Sequence, residues 1–245
     1  MATTDAIARA DGAEPPPGRL PRGAIFDLDG TLCDTAADLL VAANVALRRH
    51  GLPQLAMPRD RATAMRGGRS MFRRSLAMAR RDGDDPAAER LFEAVYPLLL
   101  AAYADAIAVH TRPFAGLDAC LDRLEAQGWR LGVCTNKPER LAVRLLETLG
   151  LAGRFGAILG ADTLAVRKPD PEHLRETARR IGADPRRSVM LGDTATDRDT
   201  AAAASVPCVL LVHNLARSPL EALTPEAIAD GFAEIPDLLE RLVAP

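Results

Sequence analysis

The sequence predicts an α/β protein whose core is a doubly wound parallel sheet, with a helical segment inserted after the first strand. Three observations predict it. Apolar runs of about four to six residues alternate with helical periodicities of about ten to fourteen, the rhythm of parallel strands joined by right-handed crossovers. A long stretch, residues 35–110, carries helical spacing and no convincing strand. Several apolar runs end in polar residues of specific type, where such sheets place their ligands.

In chain order, Pro15-Pro16-Pro17-Gly18 stiffens the approach to the first strand, and residues 1–20 read as a disordered tail. Residues 24–28 form a short buried strand, bounded by Pro21 and Gly23 before it and Gly30 after it. From Thr35 the spacing becomes helical through Leu39, Leu40, Ala43 and Leu47, until Gly51-Leu52-Pro53 stops it. Further helices around Met71, Leu76, Leu91, Val95, Leu98, Leu99 and Ala102 are separated by Arg66-Gly67-Gly68 and by the turn residues 82–86. The expected division is therefore a tail at 1–20, an α/β core at 21–34 and 111–245, and a helical insertion at 35–110.

After Pro113, Leu117, Leu121 and Leu124 mark a helix ending at Gly128, and residues 129–134 read as a strand. A helix at 139–149, a strand at 157–159, a helix at 173–181 and a strand at 188–191 follow. The alanine-rich run 195–204 predicts a helix, 206–212 a strand, 227–229 an edge strand and 235–242 a last helix.

The 48% hydrophobic and 26% charged content is that of a globular protein, and with aromatics at 4% the core must rest on aliphatic side chains. A net charge of −2 gives no basis for binding nucleic acid or an anionic membrane. No window approaches the roughly 18 to 20 apolar residues of a membrane span, and no signal-peptide core is present. Cys33, Cys120, Cys134 and Cys208 lie far apart without metal-site spacing, which predicts reduced, buried thiols and a cytoplasmic location. His50, His110, His173 and His213 are scattered without a partner motif.

The chemistry concentrates at the strand ends. Asp27 and Asp29 sit one residue apart where the first strand gives way to Gly30-Thr31. Such a carboxylate pair can hold a hard cation, with one member as nucleophile and the other as acid and base, although Asp-Leu-Asp-Gly also reads as a plain turn. Thr135 and Asn136 follow the strand at 129–134, and Asp193 and Asp197 follow the strand at 188–191. Taken singly, each of these has a capping role as an equal alternative. Lys168 lies in Arg167-Lys168-Pro169-Asp170-Pro171, where two prolines restrict the backbone and can hold an ammonium near an anion.

Asp27-Leu28-Asp29-Gly30-Thr31-Leu32, Cys134-Thr135-Asn136-Lys137, Lys168-Pro169-Asp170-Pro171 and Leu191-Gly192-Asp193-Thr194-Ala195-Thr196-Asp197, in this order, resemble the motifs of the haloacid dehalogenase-like hydrolases. The helical insertion, with Met65-Arg66-Gly67-Gly68-Arg69-Ser70-Met71, is similar to the cap of the phosphoglycolate phosphatase group. The resemblance implies a Mg²⁺-dependent phosphatase for a small phosphorylated metabolite, acting as a monomer or homodimer. It implies Asp27 as nucleophile, Asp29 as acid then base, and Thr135 and Lys168 as contacts to the phosphoryl group. Mg²⁺ would lie among Asp27, the Asp29 carbonyl and Asp193, with Asp197 acting through its water shell. Thr31, Asn136, Arg66 and Gly67 are the expected substrate-binding residues. Phosphoglycolate is the substrate the resemblance implies first; the rival readings are a phosphatase for another small metabolite (a sugar phosphate, a nucleotide or pyrophosphate), a sugar phosphomutase, which usually carries a hydrophobic residue where Thr31 stands, and a non-catalytic phosphometabolite-binding module, disfavoured because every catalytic position is filled. Ser205 departs from the family pattern, standing where a glycine is common.

Overall fold

The structure is a computed structural model describing residues 20–81, 85–213 and 217–243; the expected tail lies outside these up to residue 19. In chain order the elements are strand β1 (Gly23–Phe26), the two-residue strand β2 (Cys33–Asp34), and helices α1 (Ala36–Arg49), α2 (Arg61–Met65), α3 (Gly68–Met78) and α4 (Pro86–Asp105). There follow β3 (Arg112–Pro113), α5 (Leu117–Ala126), β4 (Arg130–Cys134), α6 (Glu139–Thr148), β5 (Ala157–Leu159) and α7 (Pro171–Arg180). The chain continues through β6 (Ser188–Gly192), α8 (Ala195–Ala204), β7 (Cys208–Leu211), α9 (Arg217–Glu221), β8 (Ala227–Ala229) and α10 (Ile235–Leu242).

Six strands form one sheet in the order β5-β4-β1-β6-β7-β8, and every pairing is parallel. Such a sheet is covered on both faces, so its strands are apolar throughout rather than alternating. The alternation appears instead as a division between two cores. Ala24 and Phe26 of β1, Leu131 and Val133 of β4, and Val189 and Leu191 of β6 enter one hydrophobic cluster with α5, α6 and α10. Ile25, Cys134 and Met190 point the other way, into a cluster with Leu174 and Ala178 of α7 and Ala201 of α8.

The chain runs from β1 outward to β4 and β5, then returns to β6 beside β1 and runs outward again to β7 and β8. β1 and β6 therefore flank the point where the winding reverses. Their carboxyl ends diverge into loops on opposite sides and leave a crevice.

The helical insertion forms a cap with its own core, in which Leu39, Leu40, Ala43 and Leu47 of α1 pack with Met71, Phe72 and Leu76 of α3 and with Phe92, Val95, Leu99 and Tyr103 of α4. The chain enters and leaves this cap side by side. β2 and β3 pair antiparallel, Cys33 with Pro113 and Asp34 with Arg112. The buried Asp38 carboxylate accepts from the backbone N–H of His110 and Thr111 and from the Thr111 hydroxyl, tying α1 to the return strand. Neither this miniature sheet nor the Asp38 clamp has a sequence signature.

The expected strand at 206–212 is shorter. Val206 N–H closes the end of α8 by donating to Ala201, and Pro207 has no N–H to give a ladder, so pairing starts at Cys208. Ser205 caps α8 in the left-handed region at φ 60°, the conformation for which glycine is the usual residue. The five-residue helix α9 is not evident in the sequence pattern. All four cysteines are unpaired and buried. No helix among the described residues is long and apolar enough to cross a membrane.

Candidate active site

Asp27 follows β1 directly and Asp193 follows β6, so both carboxylates rise from the crevice between these strands. Two glycines permit the approach. Gly30 turns at φ +88°, and a Cβ there would come within 2.3 Å of Asp193 Oδ2. A Cβ on Gly192 would meet the Asp197 side chain at 2.3 Å. Thr31 is fully buried and its hydroxyl donates to Asp193 Oδ1 at 2.9 Å.

Lys168 reaches into this group. Its ammonium lies 2.9 Å from Asp27 Oδ1 and 2.6 Å from Asp197 Oδ1. Asn136 donates from its side-chain amide to the Lys168 carbonyl, supporting the loop that carries the lysine. Asp197 also serves α8 as half of a capping box. Its Oδ2 accepts from Thr194 N–H at 3.1 Å and from the Thr194 hydroxyl at 2.6 Å, as well as from Asp193 N–H at 3.2 Å. Asp197 thus makes the capping contacts of α8 with one oxygen and pairs with Lys168 through the other.

The electrostatics of the group follow from burial. Desolvation raises Asp27 to about 6; Lys168 pulls against that, while Asp197 and Asp29 add repulsion. Asp193 is raised well above the usual carboxylate range by burial and by its neighbours Asp197 and Asp27. For Lys168 burial acts to lower the pKa, but Asp197 and Asp27 outweigh it and the net shift is upward.

Carboxylate oxygens of Asp27, Asp193 and Asp197 all lie within 4.8 Å of one another, and all three residues are buried. Asp193 Oδ2 has no hydrogen-bond partner among the described residues. A crowded all-oxygen donor set, with an unsatisfied buried carboxylate oxygen and more negative than positive charge, fits a hard divalent cation. Asp27 and Asp193 are the better-placed donors, since both oxygens of Asp197 already accept from Lys168 and the capping groups.

Above this floor lies a cavity of about 350 Å³. Asp27, Asp29, Thr135, Asn136, Lys137 and Lys168 line it from the core, and Arg66, Gly67, Tyr96 and Tyr103 from the cap. Most of the expected site residues therefore meet at one cavity. Asp193 and Asp197 lie outside the lining, and so does Thr31, alone among the expected substrate-binding residues; its hydroxyl is committed to Asp193, so direct substrate contact is not the role its placement supports. Among the cap arginines, Arg69 pairs with Glu89 and lies over the Phe92 ring, and Arg74 pairs with Asp60. These two serve the cap's own structure, and Arg66 is the arginine lining the cavity.

Two further residues escaped the sequence reading. Lys137 pairs with Asp29 through both carboxylate oxygens, at 2.9 and 3.1 Å. Its position three residues past a strand end, directly after Thr135-Asn136, is the signal that could have found it. His213 stacks on Phe114 at 3.7 Å, and its Nε2 donates to the Thr31 carbonyl at 3.0 Å, bracing the turn after Asp29; burial lowers its pKa. Nothing in its local sequence marks that contact.

The chain belongs to the haloacid dehalogenase-like hydrolase family, whose model matches residues 21–205. Among curated relatives, a protein named phosphoglycolate phosphatase from Mesorhizobium japonicum is 40% identical over 220 residues, covering 89% of this chain and 95% of that protein. Another of that name from Agrobacterium fabrum is 39% identical over 222 residues, covering 90% and 94%. A solved structure described as a predicted phosphoglycolate phosphatase from Haemophilus somnus superposes with a TM-score of 0.76 at 26% identity, covering 89% of this chain and 97% of that one.

Proposed function

We propose that this phosphatase hydrolyses 2-phosphoglycolate through an aspartyl-phosphate formed on Asp27. The observation that carries the reading is the Lys168 ammonium held between Asp27 and Asp197 beneath a cavity open to the cap. A carboxylate can attack a phosphate only when ionised and shielded from like charge, and Lys168 opposes the burial that drives Asp27 toward its neutral form.

In the first step an Asp27 oxygen bonds to phosphorus, the ester P–O bond breaks, and Asp29 gives its proton to the leaving alkoxide. In the second, Asp29 takes a proton from water. The water oxygen bonds to phosphorus and the Asp27–phosphoryl bond breaks, restoring both carboxyl groups. Thr135 and Lys168 hold the transferring group. Mg²⁺, held by Asp27, Asp193 and the Asp29 carbonyl with Asp197 behind them, would supply charge neutralisation at the phosphoryl oxygens. The cap, taken as residues 35–110, closes over the site and excludes water, and Arg66 beside Gly67 meets the substrate carboxylate. Asn136 lines the same wall. The mutase reading is disfavoured by Thr31, whose hydroxyl bond to Asp193 a valine could not make. A cytoplasmic monomer or homodimer acting on a small metabolite accords with the charge balance and the reduced cysteines.

The test is phosphate release from 2-phosphoglycolate, sugar phosphates, nucleotides and pyrophosphate, each with Mg²⁺ and with a chelator. The highest kcat/KM is expected for 2-phosphoglycolate, with loss of activity on chelation. A sugar phosphate preferred over it would overturn the substrate assignment, and isomerisation without phosphate release would establish the mutase.

A further inference from the structure

We propose that Lys137 is a positioning residue for Asp29, and that the cap completes its hold through Tyr103. The proposal rests on the reading of Asp29 as the proton carrier. Asp29 lies beyond the end of β1, on the turn leading into Gly30, where nothing in the strand ladder fixes its side chain. A group that must deliver a proton to one oxygen and later take one from water at the same face needs a fixed direction, to within a fraction of an ångström. Lys137 supplies it: the ammonium engages both carboxylate oxygens, so rotation of the carboxylate costs a charge-assisted bond.

The lysine is itself held. Its side chain is 3% exposed, against 18% for that of Asp29, so the carboxylate stays accessible to the cavity while its clamp does not. The Lys137 ammonium lies 4.1 Å from the centroid of the Tyr103 ring. Tyr103 belongs to α4 and to the cap's hydrophobic cluster, and Leu141, on the helix that follows Lys137, packs into the same cluster. The chain of contact therefore runs from the cap core through an aromatic face to the ammonium and on to Asp29. A buried ion pair is a poor device for stability alone, because desolvation consumes most of its attraction. Here the pair sits where direction matters, and movement of the cap away from the core removes the ring from the ammonium. The clamp is complete only when the cap is closed, so proton transfer awaits enclosure of the substrate.

The experiment compares Lys137→Met, Lys137→Arg and Tyr103→Leu with wild type on two substrates, 2-phosphoglycolate and p-nitrophenyl phosphate. An alkoxide leaves only with a proton, whereas p-nitrophenolate leaves without one. Lys137→Met is expected to lower kcat on 2-phosphoglycolate by about 10²-fold, the range of general acid–base contributions. On p-nitrophenyl phosphate the first turnover is expected to survive and water attack to slow, giving a burst of one p-nitrophenolate per enzyme. Lys137→Arg should recover part of the loss, and Tyr103→Leu should show the same pattern at a smaller size. Unchanged kinetics in Lys137→Met would overturn the proposal. So would a rise in KM confined to the carboxylated substrate with no burst, which would make Lys137 a substrate reader. An equal loss on both substrates accompanied by a lowered Tm would make it a structural residue. If wild type prefers another alkyl phosphate, that ester replaces 2-phosphoglycolate and the burst test stands unchanged.

Discussion

The floor and the roof of the cavity handle charge in different ways. On the floor, Asp27, Asp193, Asp197 and Lys168 are all buried, at 7, 3, 0 and 3% exposure, and each touches another member of the group or its supports. On the roof, Arg69 and Arg74 keep 46 and 42% of their side chains exposed and pair with acids of the cap itself. Charges buried together without water acquire shifted ionisation and strong mutual forces, which chemistry needs. The Arg69–Glu89 pair is exposed on both sides, and a solvated, screened pair of this kind contributes little. The difference places the buried, mutually coupled charges beneath the cavity, while the cap presents Arg66 and Tyr103 to it and spends its other arginines on itself; under the proposed function the floor would carry the reaction and the roof the reading of the substrate.

Breaking the floor should have the largest effect. Asp27→Asn removes the nucleophile and is expected to abolish turnover while the fold, followed by circular dichroism, is retained; near-native activity would refute the assignment. Next, Lys168→Met should lower kcat by roughly 10²- to 10³-fold, the magnitude of losing one preorganised group that stabilises transition-state charge. Kinetics like wild type would show the lysine to be a structural counterion only.

On the roof, Arg66→Ala is expected to raise KM for 2-phosphoglycolate by about tenfold, one charge-assisted contact, with kcat nearly kept. Arg69→Ala should leave both constants within about twofold, since its partners are Glu89 and Phe92. Equal effects of the two would dissolve the distinction between inward and structural arginines.

The smallest effect concerns stability. Asp60 is buried among Arg59, Arg74 and Ala56 N–H, and hydrogen bonding from Arg59 foremost holds it at about 2, below its ordinary 3.8, despite burial. A carboxylate depressed in the folded state contributes stability that is present above its unfolded value and lost as pH falls through its folded one. Asp60→Asn should therefore cost about 1–3 kcal/mol at pH 7. The gap from wild type should narrow as pH drops from 3.8 toward about 2. Urea melts over that range check it, and a gap independent of pH would show that the charge is not what matters.

Much of this molecule is legible in its sequence because the information is local. The alanine-rich run 195–204, the strand at 157–159 and the edge strand at 227–229 are found where spacing and propensity place them. The four motifs, each at the end of a strand or the start of a helix, are legible because a parallel sheet sends all its carboxyl ends to one edge. What the sequence alone determined is thus the fold class and which polar residues arrive at a common edge. Only the tertiary structure decided which partner each would take. Thr31 bonds to Asp193, Asp197 divides itself between Lys168 and a helix cap, Asp38 fastens the two crossings, and Lys137 is placed between Asp29 and Tyr103. Apart from the local cap at Thr194–Asp197, these pairings join residues far apart in the chain, and no periodicity encodes them. They are settled by which side chains remain when two layers close over the same buried space, where every polar group must find a partner at hand.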